Sequence, residues 1–342
     1  LVLAEQALSE SESALRHLAE ARALYRQVGR SADHARTLRK AGDICFFTGR
    51  YDDSIRHYLV ALREYEQLFQ TDPAPATELQ IGHLYTTLGN VVRNTGDRPL
   101  AISYYRKSAD VYRRHDFRLG LVGAECNLGG LLQEMGQPRE ALSHLVAAEP
   151  LARALGNSYL LSILLTNLGT CHRDRKDYPK AMACFAESNR ICRREGRELG
   201  ILNNYRAIGE TLAALGRPVE AIAAYRQAAP IAVRLEARKE ESEIYGLLAA
   251  SEETAGDHRA ALASFRRHVK LREELMNTEK ATQIHQLQLA YETEKKDKAI
   301  QILQRDQAYQ ELIRKAGLTV AALLFLPVGL LINRYRLKSR AA

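Results

Sequence analysis

A single forty-residue pattern constrains this chain more than any other feature of it. In the stretch from Ser162 to Ile201 its landmarks are Leu168-Gly169, then Tyr178, Ala181 and Phe185, and a closing Gly196. A glycine inside a helix costs about 1 kcal/mol relative to alanine. Helices carry that cost where a neighbouring helix has to approach the backbone. Ala181 and Phe185 stand four residues apart, so they share one face of a second helix. A small residue set against a large one across two antiparallel helices describes a helical hairpin.

The same landmarks return along most of the chain. The second residue of the landmark pair falls at Gly42, Gly89, Gly129, Gly169, Gly209 and Ala249, a spacing of 47 and then four times 40. Seven residues on stands a turn position: Gly49, Gly96, Gly136, Lys176, Gly216 and Gly256. Twelve on comes a small residue: Ser54, Ala101, Ala141, Ala181, Ala221 and Ala261. Sixteen on comes a large one: Tyr58, Tyr105, Leu145, Phe185, Tyr225 and Phe265. Nineteen on stand Ala61, Ser108, Ala148, Ser188, Ala228 and His268. The seven extra residues between the first two units include Asp72-Pro73-Ala74-Pro75, a loop signal. Upstream, Ala14, Leu18, Ala21 and Gly29 repeat the second half of a unit, so residues 1–30 read as a truncated one. The chain starts without Met, and we expect it to be a fragment cut at both ends. Repetition of this kind predicts an all-α, quasi-linear stack of hairpins without a single central core.

The pattern over about residues 31–270 resembles the tetratricopeptide repeat, in the forty-residue variety of kinesin-light-chain-like and bacterial signalling proteins. The tight turns read "TGRYDD", "TGDRPL", "MGQPRE", "RKDYPK", "LGRPVE" and "AGDHRA". The tryptophan that often opens the family unit is replaced by Leu38, Tyr85, Glu125, Leu165, Tyr205 and Tyr245, and Glu125 marks the third unit as the weaker one. The resemblance implies a right-handed superhelical solenoid of six units whose first helices line a concave groove. Groove candidates carried over by register are Arg36, Arg39, Phe46, His83, Asn90, Arg93, Asn94, Thr166, Arg173, Asn203 and Arg206. They lean basic, and Glu210, Glu243 and Glu253 turn the last units acidic. Such a lining suits an extended or acidic protein or peptide ligand, or a small anion, because arginine offers a planar fork to carboxylate. Asp43 stands where the carboxylate-clamp adaptors of the family carry asparagine, which argues against a clamp of that kind.

The net charge of +8 does not by itself choose a partner. Arginine is scattered through every unit beside Glu or Asp rather than gathered on one helix, and no aromatic platforms interleave it. Nucleic acid is therefore not the expected partner of this segment. Cys45, Cys126, Cys171, Cys184 and Cys192 fit no metal-ligand spacing and read as small buried residues, although Cys171 and Cys184 could meet across one hairpin in an oxidising compartment. No nucleophile elbow, phosphate loop, HEXXH helix or dinucleotide fingerprint is present, so neither a catalytic site nor a cofactor is expected.

After Phe265 the pattern changes. Residues 271–315 hold no Gly or Pro, and Leu271, Leu275, Ile284, Leu287, Tyr291, Leu303 and Leu312 form an apolar stripe. A helical stalk is predicted, with a coiled coil and homodimer as one reading and a helix packed on the last repeat as the other. Residues 316–332 carry no charge, at the short end of what a transmembrane helix needs. Arg334, Arg336, Lys338 and Arg340 follow, placing residues 333–342 in the cytoplasm and the repeats outside it, in a bacterial inner membrane. Repeats, then "LQLAYETEKKDKAIQILQRD", one span and "RYRLKSRAA" resemble the membrane-bound repeat sensors of Bacteroidetes-type bacteria. That resemblance implies the sensing half of a signal-transduction protein, most often a histidine kinase, whose output region would follow Ala342. A helix-turn-helix regulator, a membrane-anchored scaffold and a soluble repeat regulator are the other readings.

Overall fold

The computed structural model describes residues 2–278, 280, 295, 298 and 301–316. These divide into two compact units, Leu1–Leu271 and Arg272–Ala342, each treated by itself. In the first, the helices are α1 (Val2–Gln27), α2 (Ser31–Phe47), α3 (Tyr51–Thr71), α4 (Pro75–Thr95), α5 (Arg98–Arg114) and α6 (Arg118–Glu134). There follow α7 (Pro138–Ala154), α8 (Ser158–Asp174), α9 (Tyr178–Arg194), α10 (Glu198–Ala214), α11 (Pro218–Arg234) and α12 (Arg238–Thr254). A further helix, α13, runs over residues 258–278.

The helices pair in chain order, and each hairpin packs on the next. From α6 to α12 the first helices of successive units also touch one another, whereas the second helices form no comparable row. First helices packed closer together than second helices leave the first-helix side as the inner face of the stack.

Local chemistry explains the regularity of the elements. Five of the second helices or their neighbours start with proline in the first turn, where the missing N–H costs nothing. Gly49, Gly96, Gly136, Gly216 and Gly256 take the left-handed conformation between the helices of a hairpin, and Lys176 takes it in the fourth unit with φ of 63°. The seven extra residues of the first spacing do not make a longer loop. They extend α3 and α4 to 21 residues each, leaving a connection of three residues at Asp72-Pro73-Ala74. Pro75 opens α4 instead of interrupting it, because a first-turn proline is compatible with a helix.

Packing follows the landmark register. The Cβ that Gly42, Gly89, Gly129 and Gly169 lack would stand 2.5 to 2.6 Å from the side chains of Tyr58, Tyr105, Leu145 and Phe185 respectively, and Gly209 meets Tyr225 in the same way. Those five large side chains are all buried. The sixth unit departs from this. Ala249, which is buried, stands in place of the glycine, and Phe265 at the large position is 54% exposed rather than inserted. Cys45, Cys126, Cys171 and Cys192 are buried and Cys184 is half-buried, all as free thiols. Burial pushes Cys126 and Cys171 up to about 12, which keeps them protonated and unreactive.

In the second unit a helix covers residues 301–316, with Ile302, Leu303, Tyr309, Leu312 and Ile313 exposed along it. Leu271, assigned to the stalk by its place in the stripe, is instead buried at the end of the first unit. Ile284, Leu287 and Tyr291 of the stripe lie outside the described residues. So does the uncharged segment apart from Ala316, together with the basic segment that follows it. Among the described residues no helix is long and apolar enough to cross a membrane.

Candidate functional site

The groove candidates divide into those that end in solvent and those already committed to the fold. Asn94 is exposed, Arg36 is exposed with its guanidinium paired to Asp33 at 3.1 Å, and Asn203 is half-buried without a hydrogen-bond partner among the described residues. Thr166 is committed. Its hydroxyl donates to the Ser162 carbonyl at 2.9 Å and joins Ser188 Oγ at 2.9 Å and Asn204 Oδ1 at 3.0 Å, a polar knot between α8, α9 and α10. His83 also faces inward, its Nδ1 2.9 Å from the Tyr112 hydroxyl. Burial, followed by the charge of Arg39, holds the His83 imidazole below its ordinary pKa and therefore neutral.

The residue after the landmark serves the packing as well as the groove. The Tyr58 hydroxyl donates to Asp43 at 2.6 Å, and the Tyr105 hydroxyl donates to Asn90 at 2.8 Å. A tyrosine inserted beneath its glycine thus reaches through the hairpin and orients a polar side chain on the inner face. Asp43 also takes Arg39 at 3.3 Å, so the residue that displaces the clamp asparagine neutralises the neighbouring arginine.

Along the inner row the basic residues are not free. Arg93 pairs with Glu134, Gln133 donates to Asp174 at 2.7 Å, Arg173 pairs with Glu210, and Arg206 reaches Glu210 at 3.2 Å and Glu243 at 3.7 Å. Each contact but the Arg206–Glu210 pair joins one first helix to the next. The face read as leaning basic is therefore a ladder of alternating donors and acceptors with little net charge. Arg206 of this ladder, and Arg39 on α2, each keep a buried Nε without an acceptor. In the low dielectric below the surface such a donor is costly, and an acceptor supplied from outside would be stabilising.

Sequence reasoning missed one cluster. Glu125, which stands at the tryptophan position, is 9% exposed and accepts from Arg113 at 2.9 Å while its other oxygen lies 2.8 Å from His144 Nδ1. At the tryptophan position the third unit thus carries a buried carboxylate held by an exposed arginine and a half-buried histidine. A basic residue on the preceding helix together with a histidine nineteen residues downstream is the sequence signal for it. Among the described residues no three His, Cys, Asp or Glu side chains come together as a metal site.

A stack with this helix pairing and register is a solenoid of the tetratricopeptide-repeat-like kind. The tetratricopeptide repeat model matches residues 120–194, 159–234 and 200–274, so the repeats within residues 120–274 are tetratricopeptide repeats. Over 151 residues the chain is 24% identical to response regulator aspartate phosphatase A of Bacillus subtilis (strain 168). That stretch is 44% of this chain and 40% of the relative, so the chain spans less than half the length of the curated relative that it matches. Among solved structures, BtubC from P. vanneervenii shares the fold with a TM-score of 0.56 and 18% identity, over 66% of this chain and 92% of that one. The apo form of RapI does so with a TM-score of 0.55 and 12% identity, over 71% and 99%. A Rap protein complexed with competence and sporulation factor aligns with a TM-score of 0.50 and 16% identity, over 77% and 86%. These likenesses show the fold.

Proposed function

We propose that the inner face of the repeats is a receptor surface for an extended peptide segment of a protein partner, in the sensing region of a bacterial signal-transduction protein. The observation that carries this is the ladder from Arg93 to Glu243. An extended backbone presents carbonyls and amides in alternation, and a row that alternates donors with acceptors can take both. Arg39 on α2 and Arg206 in the row each have a buried Nε without an acceptor. Selection of a displayed peptide library on the full chain tests it. The enriched peptides should bind at least about tenfold more weakly to an Arg39→Ala, Arg206→Ala double variant. Equal binding by the variant would remove the inner face from the reading.

In the same proposal the region after the repeats carries the signal to a membrane helix at residues 316–332, and on to an output such as a histidine kinase beyond Ala342. The uncharged segment followed by four basic residues supports it, with the repeats on the periplasmic side of an inner membrane and the apolar side of residues 301–316 as a dimer contact. Alkaline extraction should leave the chain in the membrane pellet, and an alkaline-phosphatase fusion after Lys270 should be active. A soluble regulator that acts on a response regulator is the second reading, favoured by the 24% identity with the Bacillus response regulator aspartate phosphatase. It predicts recovery in the detergent-free supernatant.

A further inference from the structure

Between the second helices α1 and α3, above the first helix α2, lies a cavity of about 570 Å³. Its walls divide by chemistry. Leu15 and Leu18 of α1 and Leu38 of α2 make an apolar floor, and Arg16, Arg22 and His57 line it with basic groups. Glu12 is the acidic residue among those lining it. Arg50 also reaches the cavity, but its fork is taken by Asp53, with Nη2 at 2.5 Å and Nε at 2.8 Å. Arg16 and Arg22 have no ion-pair partner among the described residues. Burial, and then the positive charge of Arg22, holds His57 below its ordinary pKa, with Arg50 and Arg56 acting in the same direction and Asp53 against them. This place in the fold is short of negative charge.

The repeat itself shows what chemistry such a place takes. Leu38 precedes Gly42 by four residues and His57 follows it by fifteen, and Glu125 and His144 stand at the same two offsets from Gly129. In the third unit the slot is closed by the Glu125 carboxylate, held between His144 and an arginine of the preceding second helix. In the second unit Tyr85 and Tyr104 fill it, their rings stacked with centroids 6.1 Å apart. In the first unit His57 keeps the offset of His144, and the cavity is lined by Arg22, one helical turn before Arg26 at the offset of Arg113, but Leu38 brings no carboxylate to meet them.

We propose that this cavity binds a small organic acid, its carboxylate taken by Arg22 and His57 and its apolar body by Leu15, Leu18 and Leu38. The guanidinium fork, from an arginine of the preceding second helix, and the imidazole are the two kinds of group that grip Glu125, and the leucine floor accepts a chain of a few methylenes. The site is separate from the inner face, because it opens between second helices.

Isothermal titration calorimetry on the full chain tests this with valerate and glutarate as probes and with pentylamine and inorganic phosphate as controls. Valerate and glutarate should bind and compete with each other, and pentylamine should give no heat. The Arg22→Gln variant should weaken valerate by about tenfold or more. Leu38→Glu should supply the missing carboxylate from within and abolish binding while the helix content by circular dichroism stays unchanged. Should Leu38→Glu fail to fold, Arg22→Gln, which alters one side chain at the cavity edge, still decides the matter. Absence of heat from both acids at concentrations on the order of 10 mM would overturn the proposal. So would unchanged affinity in Arg22→Gln, or binding of phosphate in place of the two acids.

Discussion

The missing Cβ of Gly169 is the space into which the Phe185 ring is packed: a methyl group there would stand 2.5 Å from Cε1 of the ring. Phe185 is fully buried, so the ring has no room to withdraw. Gly169→Ala should therefore destabilise the protein by about 1–3 kcal/mol, the usual cost of overpacking, despite the better helix propensity of alanine. Gly123 is the control. It lies in α6 with nothing within 4 Å of its absent Cβ, and Gly123→Ala should stabilise by up to about 1 kcal/mol. Urea denaturation of the two variants should give opposite signs. Destabilisation of both would mean that the notch is not what sets the cost at Gly169.

Lys176 holds a left-handed turn with φ of 63° in a position where the other hairpins have glycine. An L-residue with a side chain is strained there by about 1–2 kcal/mol, partly offset by the greater freedom of glycine in the unfolded chain. Lys176→Gly should raise the denaturation midpoint by the equivalent of about 0.5–1 kcal/mol, read from chemical unfolding. A lowered midpoint would show that the lysine side chain makes up for its backbone.

Glu125 is buried between Arg113 and His144. Glu125→Gln removes the charge and leaves the shape, and should cost about 1–3 kcal/mol. Glu125→Leu, the residue found at the same register in Leu38 and Leu165, should cost less than Glu125→Gln, because an apolar replacement has no polar group to desolvate. Thermal unfolding of the pair gives the ranking, and the reverse order would place the stability in the packing rather than in the ion pair.

Acid should act through carboxylates such as Glu187. The Arg153 fork, with Nη1 at 2.8 Å and Nη2 at 3.0 Å, lowers its pKa below the ordinary 4.5, against burial. A folded-state pKa below the unfolded one adds stability that is complete above 4.5 and is lost as pH falls through the folded value. A carbon-detected NMR titration should find the Glu187 midpoint below 4.5 and see it rise in Arg153→Gln. The melting temperature of the variant should then fall less steeply between about pH 5 and pH 3. A Glu187 midpoint unmoved by the substitution would assign the shift to something other than Arg153.

Much of this was legible from the residues. The offsets between Gly169, Ala181 and Phe185 located the hairpin, its turn and its contact, since helical periodicity turns spacing into facing. The Asp72 to Pro75 segment was legible only as an interruption, because a proline that breaks a helix and one that starts it look alike in sequence. Sequence offsets place Arg93, Arg173 and Arg206 on the inner face but do not say what stands opposite, so their partners on the next first helix went unseen. Thr166 read as a groove residue for the same reason, with its hydroxyl in fact spent on Ser188 and Asn204.

What the sequence determined by itself is the repeat: its helices, its left-handed turns and the glycine notch that the large side chain enters in the first five units. These are contacts within one hairpin, fixed by residues at most about sixteen positions apart. The tertiary structure alone decided the charge of the inner face, the closing of the third unit by Glu125 and the cavity beside His57. Those depend on side chains about twelve to forty residues apart that meet only when one hairpin stacks on the next, and electrostatic balance is set by such distances rather than by composition.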